Sequence, residues 1–146
     1  MIEKMIKYGW YTLFIAMVGD VLLSLVFPWF YTGYSSMKMS ISALGNPQSP
    51  VRGMFNTWML MEGLLFLLGI PALYKHYHSV SGALTYTMIL FIVVFAVGAC
   101  VLTCFFSVNE SKDIVTTASK IHGMGSVLGF ILFLFVPLLL AILSFK

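Results

Sequence analysis

Charge is the scarcest property of this sequence. Eight lysines and arginines and five aspartates and glutamates make up 9% of 146 residues, against roughly 25% in a soluble domain. That deficit excludes an ordinary water-soluble fold. No run of lysine or arginine is present, which excludes nucleic acid as a partner. Cysteine is limited to Cys100 and Cys104, one helical turn apart in an uncharged stretch. Such a pair shares a helix face but is badly oriented for a mutual disulfide, and no second pair exists to relay electrons as in a thiol oxidase. Both read as buried thiols packing as small hydrophobes. His76 and His78 alternate in a short polar turn and are too few to hold a metal. They read as solvated interface residues, and neither a metal nor a cofactor is expected.

What the chain does have is long apolar sequence. It is 60% hydrophobic, with mean hydropathy +0.99. A membrane span needs about 20 apolar residues, and four such segments fit, at 8–30, 54–74, 84–106 and 121–145. The predicted fold is an all-α integral membrane protein. It is one transmembrane domain over 1–146, a four-transmembrane-helix antiparallel bundle with a long first loop that is either interfacial or re-entrant. Residues 1–7 read as a short amphipathic lead. The first apolar segment outruns a signal-peptide core and contains Asp20, so it reads as a retained helix. Tyr8, Trp10 and Tyr11 at one end of it and Trp29, Phe30 and Tyr31 at the other form the aromatic belts of two interfaces.

The third span has no charge and is expected to be the most lipid-facing. Gly98-Ala99 and Gly125-x-x-x-Gly129 offer small-residue faces for close helix contact, and Pro137 is expected to bend the fourth span. Lysine and arginine divide four against four between the two sides, Lys4, Lys7, Lys75 and Lys146 against Lys38, Arg52, Lys112 and Lys120. The first helix usually dominates orientation, and Lys4 and Lys7 flank it. The expected location is the cell membrane, multi-pass, with both termini cytoplasmic.

Candidate chemistry collects on one side. Asp20 and Glu62 stand inside spans one and two, where a carboxylate costs roughly 2.5–3.5 kcal/mol on insertion scales and must face the bundle or water. At 1.5 Å per residue they lie roughly 14 and 10 Å below one membrane face. On adjacent antiparallel helices these depths are comparable, and if the carboxyls face each other one of them is expected to be protonated. Above them the first loop supplies Ser40, Ser42, Asn46, Arg52 and Asn56, and the other crossing supplies Asn109, Glu110, Asp113 and His122. Gly45-Asn46-Pro47 reads as a turn, and a loop this long is more often functional than idle. His122 is the one histidine at this mouth, able to exchange protons near neutral pH.

Ser40-Ile-Ser-Ala-Leu-Gly-Asn-Pro47, then Phe55-Asn56 and Gly63, together resemble the signature of a prokaryotic multispanning membrane family, the domain-of-unknown-function family numbered 998. Phe105-Phe-Ser-Val-Asn-Glu110 and Ile121-His-Gly123 resemble its second element. Ala43 and Phe106-Ser-Val-Asn109 depart from positions that are often acidic there. The resemblance covers most of 8–140 and implies correspondence to the first four of about six spans. A looser likeness to eukaryotic DRAM-type membrane proteins implies a lipid-related role.

Three functions compete. The first is a lipid-interacting or accessory membrane component built on the polar mouth. The second is a lipid-active hydrolase or transferase using His122 with Ser40 or Ser42. The third is a small proton-coupled transporter using Asp20 and Glu62, which in so narrow a bundle requires an oligomer. The expected partners are membrane lipids and a homo-oligomer or larger membrane complex.

Overall fold

The structure, a computed structural model, describes residues 1–108 and 115–145. Asn109, Glu110, Lys112, Asp113 and Lys146 lie outside the described residues. Among those described there is no strand, and four helical stretches are long and apolar enough to cross a membrane: Ile2–Phe30, Arg52–Tyr77, Gly82–Phe105 and Thr117–Ser144. The first is α1 (Ile2–Val26), closed by a 3-10 turn, Phe27–Phe30, with Pro28 inside it. The second is α2 (Arg52–Tyr77). The third joins α3 (Gly82–Val94) and α4 (Leu102–Phe105) through a π-helical segment, Phe95–Val101. The fourth is α5 (Thr117–Phe133) followed by α6 (Val136–Ser144).

Several boundaries differ from expectation for physical reasons. The lead 1–7 is already helical, because nothing in Ile2–Lys7 breaks a helix and the turns are continuous with the apolar run. The fourth span starts four residues earlier than expected. Thr116 accepts from the Ser119 amide while the Ser119 hydroxyl accepts from the Thr116 amide, a reciprocal cap that satisfies two orphan donors. Pro137 acts as expected: α5 stops at Phe133 and α6 restarts with Pro137 in its first turn, where a missing N–H costs nothing.

The spans pack as an arc in chain order. α1 lies along α2, α2 along the third span, and the third span along the fourth, while α1 and the fourth span share no extended interface. The expectation for the third span is therefore reversed. Of its most apolar stretch 44% is buried, against 11% for the first span and 17% for the fourth. Lipid tails are as apolar as a protein core, so absence of charge does not distinguish the two surroundings. Residue size does. A Cβ on Gly98 would lie 2.7 Å from the Gly125 carbonyl oxygen, and one on Gly125 would lie 2.6 Å from the Gly98 carbonyl oxygen, so the two backbones touch. The aromatic rings of Phe66, Phe95 and Phe133 fill the space beside this contact, with Phe95 and Phe133 stacked at 4.1 Å.

The first loop enters the bundle. A 3-10 turn at Ile41–Gly45 carries Leu44, fully buried, and Gly45, Asn46, Ser49 and Val51 are buried after it. Leu44 and Val51 join Phe27, Phe55 and Met59 in a second apolar cluster at this end. Residues of 41–51 thus pack into the end of the helix bundle, while Met37 remains 94% exposed.

Replacing Gly125 by valine forces apart two backbones that have no slack, and overpacking of this kind costs about 1–3 kcal/mol. Reversible unfolding in detergent is expected to show a loss of that size for Gly125→Val, and little change for Gly123→Ala, whose Cβ would meet nothing within 4 Å.

Candidate functional site

The residues that assemble the site start on one face of α2. Phe55, Met59 and Glu62 follow the i, i+4, i+7 spacing of a single helix face and line the same internal cavity. Asp20 reaches it from α1 and Ser42 from the 3-10 turn of the first loop. Cys100 comes from the π segment, Thr103 from α4 and Ser126 from α5. All four spans and the first loop therefore converge here. The cavity measures about 30 Å³, and one water requires roughly 10–15 Å³ on that measure. It has room for about two waters, and none for a lipid head group.

Glu62 is 1% exposed, and its Oε2 has no hydrogen-bond partner. Asp20, half-buried, shares its cavity and is close enough to bear on it electrostatically. Trp58, one turn before Glu62, brings its indole N–H toward the carboxyl but falls short of a strict hydrogen bond, so that N–H is also buried without a partner. Its ring can sit there because position 19 is glycine: any Cβ on Gly19 would collide with the Trp58 ring. Gly19-Asp20 on α1 and Trp58-x-x-x-Glu62 on α2 thus form one interlocked unit.

The π segment supplies the opposite wall. One wide turn shifts the register of the helix, and such bulges are frequent at functional sites. Thr103 Oγ1 donates to the Ala99 carbonyl at 2.6 Å. With its proton committed, the hydroxyl presents lone pairs to Ser126 Oγ, 3.5 Å away, and to the cavity. Cys100 is buried and Cys104 half-buried, both free thiols, as expected for packing roles. Among the described residues no group of three or more metal-ligating side chains exists.

The other predicted residues are distributed differently. Ser40 is exposed, and its carbonyl accepts from the Tyr34 hydroxyl at 3.3 Å. Asn46 is 2% exposed and its Oδ1 accepts from the Gln48 amide at 2.8 Å, a side chain closing its own turn. Neither it nor Gly45 adopts positive φ. Gly45 is small because Phe55 and Asn56 crowd it: a Cβ would lie 2.7 Å from Asn56 Oδ1, itself buried and unpartnered. Arg52 begins α2 and is exposed.

His122 is 3% exposed and makes a hydrogen bond of 2.8 Å from Nδ1 to the Phe106 carbonyl. A carbonyl only accepts, so Nδ1 carries the proton. Phe106 caps α4 in extended conformation, and the imidazole satisfies its carbonyl while tying span three to span four. His122 does not line the carboxyl cavity and bonds neither Ser40 nor Ser42. Among the described residues the hydroxyl–imidazole pair that hydrolytic chemistry needs is not assembled.

His76 and His78 are not simply solvated. His76 packs against Trp10 and Tyr77, and His78 sits between Tyr74 and Tyr86 at 4.6 and 5.5 Å.

Fold and site together define a multi-pass α-helical membrane protein with two acidic residues on one internal cavity beside the first loop. The chain belongs to the family described as "Protein of unknown function (DUF998)", which matches residues 14–146 and so takes in every element of the cavity. No curated protein and no solved structure matches it.

The His122–Phe106 bond has a measurable structural effect. His122→Phe strands a buried carbonyl, at a cost of about 1–3 kcal/mol, and is expected to lower unfolding stability by that amount. Ser40→Ala, on an exposed side chain, is expected to leave stability within about 0.5 kcal/mol.

Proposed function

We propose that the protein is a proton-coupled membrane component, with Asp20 and Glu62 as its protonatable centre and the segment 41–51 as the lid over it. The observation that carries this reading is Glu62 Oε2, fully buried and unpartnered, in a cavity shared with a second carboxyl. The cavity lining includes no lysine, arginine or histidine. Two carboxylates with no cation beside them cannot both stay ionised at membrane depth. A proton held between them, or relayed through one or two waters, supplies the missing charge balance and the missing hydrogen bond together.

Cavity size argues for the same ligand. About 30 Å³ suits a proton with its waters, whereas drug-sized or lipid ligands occupy pockets of roughly 300–1,000 Å³. In this reading the loop controls exchange. With Ile41 and Ser42 in the cavity wall Glu62 is shielded while Asp20 stays half-buried, and withdrawal of the loop admits water to both.

Infrared difference spectroscopy of the protein in lipid is expected to show a protonated-carboxyl C=O band, sensitive to deuterium exchange, that is lost in Glu62→Gln and shifted in Asp20→Asn. In sealed vesicles, proton uptake driven by an imposed gradient is expected to fall to the empty-vesicle level in either variant, and to be unaffected in Ser40→Ala. Absence of the band from the wild type, or full uptake by Glu62→Gln, would falsify the assignment.

A further inference from the structure

A second concave feature lies at the other end of the molecule, on the membrane face that carries the amino terminus. Its floor is Ile70, Pro71 and Tyr74 of α2, and its walls come from Ile2 and Ile6 of α1 and Tyr86 and Ile89 of α3. It measures about 500 Å³, inside the range of roughly 300–1,000 Å³ typical of small-molecule sites. Lys75 is the one charged residue in its lining. That lysine is exposed, and no ion pair engages it among the described residues.

We propose that this groove binds one anionic phospholipid, with the phosphate at Lys75 and the upper acyl chain along Ile70, Pro71 and Ile89. Geometry sets the depth. Ile70 is five residues from Lys75 on the same helix, roughly 7.5 Å at 1.5 Å per residue, so the groove takes the glycerol region and the first carbons of a chain. A lysine ammonium standing at the interface above an apolar slot matches that amphipathic division.

Charge selects the anionic head group. Among the described residues of this face Lys4, Lys7 and Lys75 stand against one acidic side chain, Glu3, and each basic residue near the surface strengthens attraction to anionic lipid. The Tyr74 and Tyr86 rings, 5.9 Å apart, form the polar-edged end of the slot. The α1 wall of the groove precedes the family match, which starts at residue 14. The site therefore draws on sequence outside the family region, and it is independent of the carboxyl cavity.

The test is lipid retention by the intact purified chain, read by native mass spectrometry after exchange from vesicles of phosphatidylcholine and phosphatidylglycerol in equal parts. The wild type is expected to retain phosphatidylglycerol in preference, with a single lipid bound. Lys75→Gln is expected to weaken that retention about fivefold, and Lys75→Arg to restore it. Ile70→Trp, which fills the floor while leaving the charge in place, is expected to lose the lipid as well. Lys38→Gln, on the opposite membrane face, serves as the control and is expected to retain it. Equal retention of the two lipids by the wild type overturns the proposal, as does unchanged retention in Lys75→Gln or in Ile70→Trp. Equal loss in Lys38→Gln also overturns it, because the attraction would then be general surface charge. Should Lys75→Gln not fold, Ile70→Trp and the wild-type preference still decide the matter.

Discussion

A carboxyl group at membrane depth has three ways to avoid an intolerable desolvation cost: an opposite charge, a proton, or water. No lysine, arginine or histidine lines the cavity that holds Glu62. The fold around it can be understood as what that exclusion requires. Gly19 gives up its side chain so that Trp58 can cross α1 beside the acid. The π segment turns Cys100 and Thr103 inward. The first loop descends to close the remaining side with Ile41 and Ser42. Each of these is a local irregularity; the π segment and the loop line one volume of two-water size, and Gly19 and Trp58 pack beside the helices that carry its two acids.

The same irregularities hold the arc of spans together, so site and scaffold share residues. The π segment that faces Glu62 also sets Gly98 against Gly125. Phe95 belongs to the cavity wall and to the aromatic stack with Phe133. Tight backbone contact without a hydrophobic driving force between helices depends on small residues and van der Waals packing. That is why the third span is the most buried although its sequence carries no charge.

Much of this was legible in the chain itself. Segment length and hydropathy identify four spans, because only a helix satisfies its own backbone in lipid. Counting residues from the span ends places Asp20 and Glu62 at comparable depth, and the glycine spacings mark the close contact. The rest was hidden for identifiable reasons. His122 is chemically suited to catalysis, but its partner is the Phe106 carbonyl, and a backbone group leaves no trace in sequence. The capping of α5 by Thr116 and Ser119 departs from the usual glutamate pattern, so the helix reads as starting late. Trp58 is not singled out by the sequence. Its spacing of four from Glu62, together with Gly19 beside Asp20, is the signal that could have joined it to the site.

The first loop is where structure and proposed chemistry bear most directly on each other. Leu44 and Val51 anchor it in the same apolar cluster as Phe55 and Met59, and Phe55 and Met59 stand on the helix face that ends in Glu62. Gly45 rests on Phe55 and on the unpartnered Asn56. Asn46 and Ser49 close their own short turns, so their polar side chains are engaged within the segment itself. The segment is held mainly by two buried apolar side chains rather than by a network of strong polar bonds to the helices. In the proposed reading its withdrawal uncovers Asn56 Oδ1, against which Gly45 rests, and opens the cavity that holds Glu62 Oε2, two polar atoms that gain partners from water. The apolar anchors favour closure and the orphaned polar atoms favour opening. In the proposed reading, a lid balanced between those opposing terms is suited to respond to whether the acid beneath it holds a proton.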